Sequence, residues 1–119
     1  MTKKLLQLGK KGERLAQKKL QNNGYKIVET NFHSRFGEID IIALDGETLV
    51  FVEVKTRIGD TYGKAKEAIN QAKIKKIKTT LEYYLLIHKK YHDFRIDCVA
   101  IDIDPITFKM TIETYKNIC

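Results

Sequence analysis

Three ionisable residues stand where the chain otherwise builds apolar strands: Asp40 in Gly37-Glu38-Ile39-Asp40-Ile41-Ile42-Ala43-Leu44, and Glu53 and Lys55 in Leu49-Val50-Phe51-Val52-Glu53-Val54-Lys55. Asp45-Gly46-Glu47-Thr48 between the two runs is a turn-type insert, so they read as an antiparallel hairpin. Successive strand side chains alternate between faces, which puts Glu38, Asp40, Ile42 and Leu44 on one face of the first strand. Leu49, Phe51, Glu53 and Lys55 share the matching face of the second. Pairing across a four-residue loop sets Leu44 opposite Leu49, Ile42 opposite Phe51 and Asp40 opposite Glu53. The other face, Ile39, Ile41, Ala43, Val50, Val52 and Val54, is wholly apolar. Two carboxylates directly opposite in such a pair have Cβ atoms roughly 4.5–5.5 Å apart and repel. A bound cation, a shared proton or Lys55 would relieve that repulsion. Mg²⁺ is typically held by one or two carboxylates, with water and substrate phosphate completing its shell. The alternative is a strand-end ion pair of Lys55 with Glu53 or Asp40 at a solvated edge, which the apolar flanks argue against.

The remaining elements must carry and cover this hairpin. Residues 3–22 have helical 3-4 spacing through Leu5, Leu8, Gly12, Leu15 and Ala16, and Asn23-Gly24 supplies a C-cap. Glu13 lies beside that stripe, and spacing alone favours an exposed residue paired with Lys10. Residues 25–31 read as a weakly patterned strand. Residues 31–37 then read as a loop in which Arg35 could contact phosphate and Phe36 could stack, or tuck into the core. A polar connection over 56–63 leads to a long helix over 66–89, with an apolar stripe through Ile74, Ile77, Leu81, Tyr84, Leu85 and His88. Lys64, Lys66, Lys73, Lys75, Lys76 and Lys78 crowd its first half against Glu67 alone. Gln71 and Lys73 are positioned near the helix start, and the spacing leaves open whether they face the acids. His88 and His92 lack a third ligand and are poor metal candidates. Strands over 94–102 and 109–115, joined by a turn at Asp104-Pro105, complete an α-β-β-β-α-β-β order. The expected class is α/β (α+β), with helices available to cover both faces of one sheet.

With 22 Lys and Arg against 15 Asp and Glu, the chain carries a net charge of +7, which favours a polyanionic partner, nucleic acid first. A length of 119 residues suits one domain over 1–119. No run approaches the ~20 apolar residues of a membrane span, and the start lacks an apolar signal region. Cys98 and Cys119 show no metal or redox spacing and suit a reducing, cytoplasmic setting.

An acid on one strand followed by Glu-x-Lys on the next resembles the PD-(D/E)xK nuclease superfamily, with Asp40 as the first acid and Glu53-Val54-Lys55 as the second motif. The surroundings narrow this. Gly12-Glu13-x-x-Ala16-x-x-x-Leu20, Gly24, Asn31, Arg35, the run 37–43, Leu49 to Arg57, and the later Gly63, Ala68 and Lys73 resemble the bacterial YraN family, also called UPF0102. That family is similar to archaeal Holliday junction resolvases and tRNA-splicing-endonuclease-like folds. The resemblance implies a restriction-endonuclease-like core, with the acid-bearing hairpin in a mixed sheet flanked by helices, and it brings Glu13 to the acids against the local preference. It implies catalytic residues Asp40, Glu53, Lys55 and Glu13, with Asp40, Glu53 and Glu13 holding Mg²⁺ or Mn²⁺. Arg35, Arg57, Lys64 and Lys73 are then the candidate nucleic-acid-binding cations, and Gln71 a candidate accessory residue. The expected activity is structure-selective hydrolysis of nucleic-acid phosphodiesters, DNA favoured, by a homodimer. Two other readings stand beside it: a nucleic-acid-binding module with little or no catalysis, and a protein-interaction domain meeting an acidic partner.

Overall fold

The computed structural model describes residues 3–59 and 65–118. Helix α1, Lys3–Asn22, is followed by strands β1 (Lys26–Ser34), β2 (Gly37–Asp45) and β3 (Thr48–Ile58). A 3-10 turn, Ala65–Ala68, and helix α2, Gln71–Ile87, lead to β4 (Asp93–Ile103) and β5 (Met110–Tyr115). The five strands form one mixed sheet in sequence order. β1, β2 and β3 are an antiparallel meander, β3 and β4 run parallel, and β4 and β5 close with an antiparallel pair. A parallel pair needs a long crossover, and α2 supplies it. The α+β class and the element order are therefore those expected.

The hairpin at the centre keeps the register that the four-residue spacing predicts, with Leu44 opposite Leu49 and Ile42 opposite Phe51. Asp45 and Thr48 also pair, so the turn itself is only Gly46-Glu47, and Gly46 takes the positive φ of 63° that such a tight turn favours. Because the strand period is two, the expected faces of the paired residues from Ile41 to Leu44 and Leu49 to Val52 survive this shortening.

Three boundaries differ from expectation. Residues 31–37 are mostly strand: β1 runs to Ser34 and turns at Arg35-Phe36. Ser34 Oγ accepts from Phe36 N–H at 3.1 Å and donates to the Gly37 carbonyl at 3.2 Å, which holds that turn. A bulge between Ile27 and Glu29 and a positive φ of 53° at Asn31 break the alternation that would have marked the strand. The helix expected over 66–89 starts at Gln71, because Asn70 is an N-cap whose side chain accepts from Lys73 N–H at 3.0 Å. It stops at Ile87.

Each helix covers one face of the sheet. Ala16 and Leu20 of α1 pack with Ile41, Ala43, Val50, Val52, Val99 and Ile101. Ile77, Leu81 and Tyr84 of α2 pack with Ile42, Leu49, Phe51 and Ile96. Ile39, predicted to share a face with Ile41 and Ala43, joins the α2 cluster instead, just beyond the last β2–β3 pair. Gly12 lets α1 lie directly on β3: an added Cβ would fall 2.2 Å from Thr56 Oγ1.

At the turn end of the hairpin, Arg95 of β4 ties three elements together. Its Nε donates to Asp97 at 3.0 Å and its Nη2 to Asp45 at 2.9 Å and to the Tyr25 hydroxyl. Asp97 is fully buried and also accepts from Asn117 N–H at 3.0 Å. No helix among the described residues is long and apolar enough to cross a membrane.

Candidate active site

The acids lie where β2 and β3 part. The β2–β3 pairs run from Asp45–Thr48 to Ile41–Val52 and stop there. One residue further, the Asp40 carboxylate takes over as acceptor, with Oδ2 at 2.8 Å from Val54 N. A side-chain oxygen thus satisfies a β3 amide just past the last pair, and Asp40 and Glu53 are left side by side at the opening. The direct opposition predicted for them is replaced by this side-chain closure.

Both carboxylates are held towards their neutral forms. Burial raises the Asp40 pKa, with help from Glu38, while the Val54 N–H, Lys73 and Lys55 work in the other direction. Glu53 is only 7% exposed, and its pKa is pushed up to about 7, by burial first and then by the Asp40 charge. Lys73 and Lys55 oppose the rise. Lys73 does so at close range, its Nζ 3.3 Å from Glu53 Oε1. Lys55 is partly buried two residues beyond Glu53, on the same face of β3.

Glu13 joins this group from α1. Its pKa is raised by burial and then by the charges of Asp40 and Glu38, which places it within their electrostatic reach. Lys10 lowers it, yet among the described residues no Glu13–Lys10 ion pair forms. Helical spacing alone would have left Glu13 as surface. What moves it inward is the seating of α1 on β3 through Gly12.

The other predicted residues are spread along one side. Lys73 reaches the acids. Gln71, the first residue of α2, is exposed. Arg57 follows Lys55 on the same face of β3, and its buried Nε has no hydrogen-bond partner among the described residues. Arg35 is exposed at the β1–β2 turn, its guanidinium 4.9 Å from the Phe36 ring centroid. Lys64 and Gly63 lie outside the described residues.

A groove of about 340 Å³ begins beside the Lys73–Glu53 pair. His33, Ser34, Gly37 and Glu38 form one wall, and Lys73 and Lys76 of α2 the other. His33 Nδ1 and Glu38 Oε2 are 3.2 Å apart on that first wall. Lys76 was legible only as one of many lysines, and its place in the groove comes from the turn of α2. Cys98 is a further neighbour that spacing missed, since it pairs with Glu53 across the parallel β3–β4 ladder. Burial, with the Glu53 and Asp40 charges, pushes its thiol up to about 12, so it stays protonated and is no nucleophile.

The donor set suits a hard cation: two carboxylates side by side, each destabilised as an anion, with an ammonium two residues away. The fit is that of a two-carboxylate site, since no group of three or more His, Cys, Asp and Glu is arranged as metal ligands among the described residues. Glu13 stands at the edge of that pair without closing a cage.

The fold and site together define an α+β protein with a mixed sheet and a carboxylate–lysine cluster in a break between two strands. The model of the family described as "Uncharacterised protein family UPF0102" matches residues 12–101. A UPF0102 protein of Thermodesulfovibrio yellowstonii is 46% identical over 97 residues, 82% of this chain and 87% of its own length. One from Clostridium botulinum is 42% identical over 113 residues, covering 92% and 91%, and one from Persephonella marina is 47% identical over 94 residues, covering 78% and 81%. The chain belongs to the UPF0102 family.

Proposed function

We propose that this protein is a metal-dependent endonuclease that hydrolyses nucleic-acid phosphodiesters, with structured DNA as the favoured substrate. The observation that carries the reading is the pairing of Asp40 and Glu53 in the strand break, both pushed towards neutrality, beside Lys55 and a cation-lined groove. Repulsion within a buried carboxylate pair is a cost to the fold that an ordinary structural position does not carry.

Asp40 and Glu53 would hold Mg²⁺ or Mn²⁺, with Glu13 reaching the same charge from α1. The bound ion would lower the pKa of a coordinated water and offset charge on the scissile phosphate. Lys55, on the same face as Glu53, orients the attacking water or stabilises the negative charge that develops on the phosphate oxygens. Arg57, with its unpartnered Nε, and Lys76 in the groove supply cations for flanking phosphates. No described serine, cysteine or histidine is activated beside the acids, so water is the nucleophile. The residues are suited to a cytoplasmic protein acting on nucleic acid, as a homodimer by analogy with junction resolvases.

A second reading is favoured by the Lys73–Glu53 contact. An ammonium 3.3 Å from Glu53 Oε1 partly does the work of a metal, which would suit a nucleic-acid-binding module that no longer cuts. Titration of Mg²⁺ and Mn²⁺ into wild type and Glu53→Ala, read by calorimetry and by cleavage of plasmid and four-way-junction DNA, separates the two. The nuclease reading expects metal binding and cleavage that both vanish in the variant. Equal behaviour of the two proteins towards both metals would sink it, and metal-independent DNA binding without cleavage would establish the second reading.

A further inference from the structure

The groove does not end at its lysines. Following α2 from Lys73 past Lys76 and Thr80 leads to Tyr83, and following the facing wall from Glu38 through Gly37 leads to Phe36 and Arg35. The two walls meet in an aromatic step, with the Phe36 and Tyr83 ring centroids 5.5 Å apart and inclined by 55°. Phe32, one layer deeper, belongs to the α2 core cluster and packs edge-on against Tyr84 at 5.0 Å. Phe36 and Tyr83 are not part of that cluster. Tyr83 is 37% exposed, and the exposed Arg35 guanidinium lies over the Phe36 ring. Tyr83 also meets Phe32 at 6.5 Å, so the step rests on the rim of the core with its outer side open to solvent.

Its surroundings decide what covers it. The step adjoins a groove walled by Lys73 and Lys76 on one side and by His33 and Glu38 on the other, and Arg35 caps its far side. Aromatic side chains beside a cationic track are the usual platform for an unpaired base, whose π-face stacks while the backbone follows the charges. A second copy of the chain is the rival occupant, because Leu86 and Ile87, one turn on, are 67% and 51% exposed. A two-fold contact there would bring two cationic rims together, which disfavours it.

We propose that the Phe36–Tyr83 step receives an unpaired nucleobase, so that the substrate is duplex DNA with a single-stranded extension beginning close to the cleavage point. This rests on the nuclease reading of the Asp40–Glu53 site. Ten residues of α2 separate Lys73 from Tyr83, a path of about 15 Å. A strand leaving the Asp40–Glu53 site along the groove would reach the step within a few nucleotides. An exposed guanidinium on Phe36 is displaced at small cost, and Arg35 is then free to meet the phosphate beside that base.

The test compares a blunt duplex with the same duplex carrying a single-stranded extension labelled with 2-aminopurine, both titrated in EDTA so that nothing is cut. Wild type should bind the extended form more tightly and quench the label. Tyr83→Leu should weaken binding of the extended form about tenfold while changing the blunt duplex less than about twofold, and Tyr83→Phe should keep wild-type binding. Phe36→Leu repeats the comparison on the other ring, and unchanged melting temperatures exclude unfolding. An unquenched label, equal losses on both DNAs, or full affinity in Tyr83→Leu would overturn the proposal. So would a sedimentation shift from dimer to monomer in Tyr83→Leu with DNA binding intact, which assigns the face to a second copy. Quenched binding with no cleavage in Mg²⁺ or Mn²⁺ would leave this inference standing and remove the nuclease reading. Cleavage without preference for extended DNA does the reverse.

Discussion

Lys73 Nζ and Glu53 Oε1 are 3.3 Å apart, joining the first turn of α2 to the far end of the central hairpin. The lysine side chain is 40% exposed and the glutamate side chain 8%, so one partner faces the groove and the other the interior. The pair is therefore the hinge between the buried acids and the cationic track. Its strength sets how readily Glu53 ionises.

Replacing Lys73 by Gln removes a charge that lowers the Glu53 pKa. The Glu53 carboxyl should then titrate above its present value of about 7, and carboxyl-detected NMR titration of the metal-free protein reads this directly. A Glu53 resonance that titrates unchanged would show that the contact does not persist in solution.

Glu53→Gln tests the cost of the site to the fold. A glutamate raised from 4.5 to about 7 adds stability below pH 4.5, and that contribution is lost as pH climbs towards 7. Asp40 and Glu13 are shifted in the same direction. In the metal-free protein the Glu53 part amounts to about 3 kcal/mol, since one pKa unit is about 1.4 kcal/mol. Urea unfolding at pH 5 and pH 8 should show wild type losing stability at the higher pH and Glu53→Gln losing much less. A variant less stable than wild type at pH 8 would contradict the burial argument.

At Asp40 the choice of substitution separates chemistry from architecture. Asn retains an oxygen for the Val54 N–H, whereas Ala leaves that amide without its acceptor, at a cost of about 1–2 kcal/mol. Both variants should lose metal-dependent cleavage. Only Asp40→Ala should also unfold at lower urea concentration, and equal midpoints would mean that water replaces the carboxylate without penalty.

The Arg95 network predicts a large effect far from the acids. Arg95→Met strands the fully buried Asp97 charge, and breaking a buried pair from one side costs about 3–5 kcal/mol. Chemical denaturation should show that loss, and Arg95→Met combined with Asp97→Leu should recover part of it. An Arg95→Met protein as stable as wild type would mean that the Arg95–Asp97 contact contributes nothing to the fold.

Much of the site was legible because strand parity is local. Strand parity set Asp40, Glu53 and Lys55 at one end of the hairpin, and shortening the loop to Gly46-Glu47 left the pairs from Leu44–Leu49 to Ile42–Phe51 as expected, while Asp40 lies just past the last pair. The β1 segment was not legible past Asn31, because a bulge near Val28 and a left-handed residue interrupt the period on which the reading depends. Asn70 carried a readable N-cap signal that the lysine-rich run obscured. The Lys73–Glu53 contact spans twenty positions in sequence, and the Glu13–Asp40 interaction crosses from a helix to a strand. No periodicity records either, since both depend on how the helices come to rest on the sheet.

That resting place traces back to Gly12. Because an atom at its Cβ position would collide with Thr56, the distance between α1 and the sheet is set by a side chain that is missing. The next residue is Glu13, so the depth to which that carboxyl reaches is calibrated by its neighbour's emptiness. A chain that kept every acid but filled position 12 would retain the ingredients of the site and lose its focus.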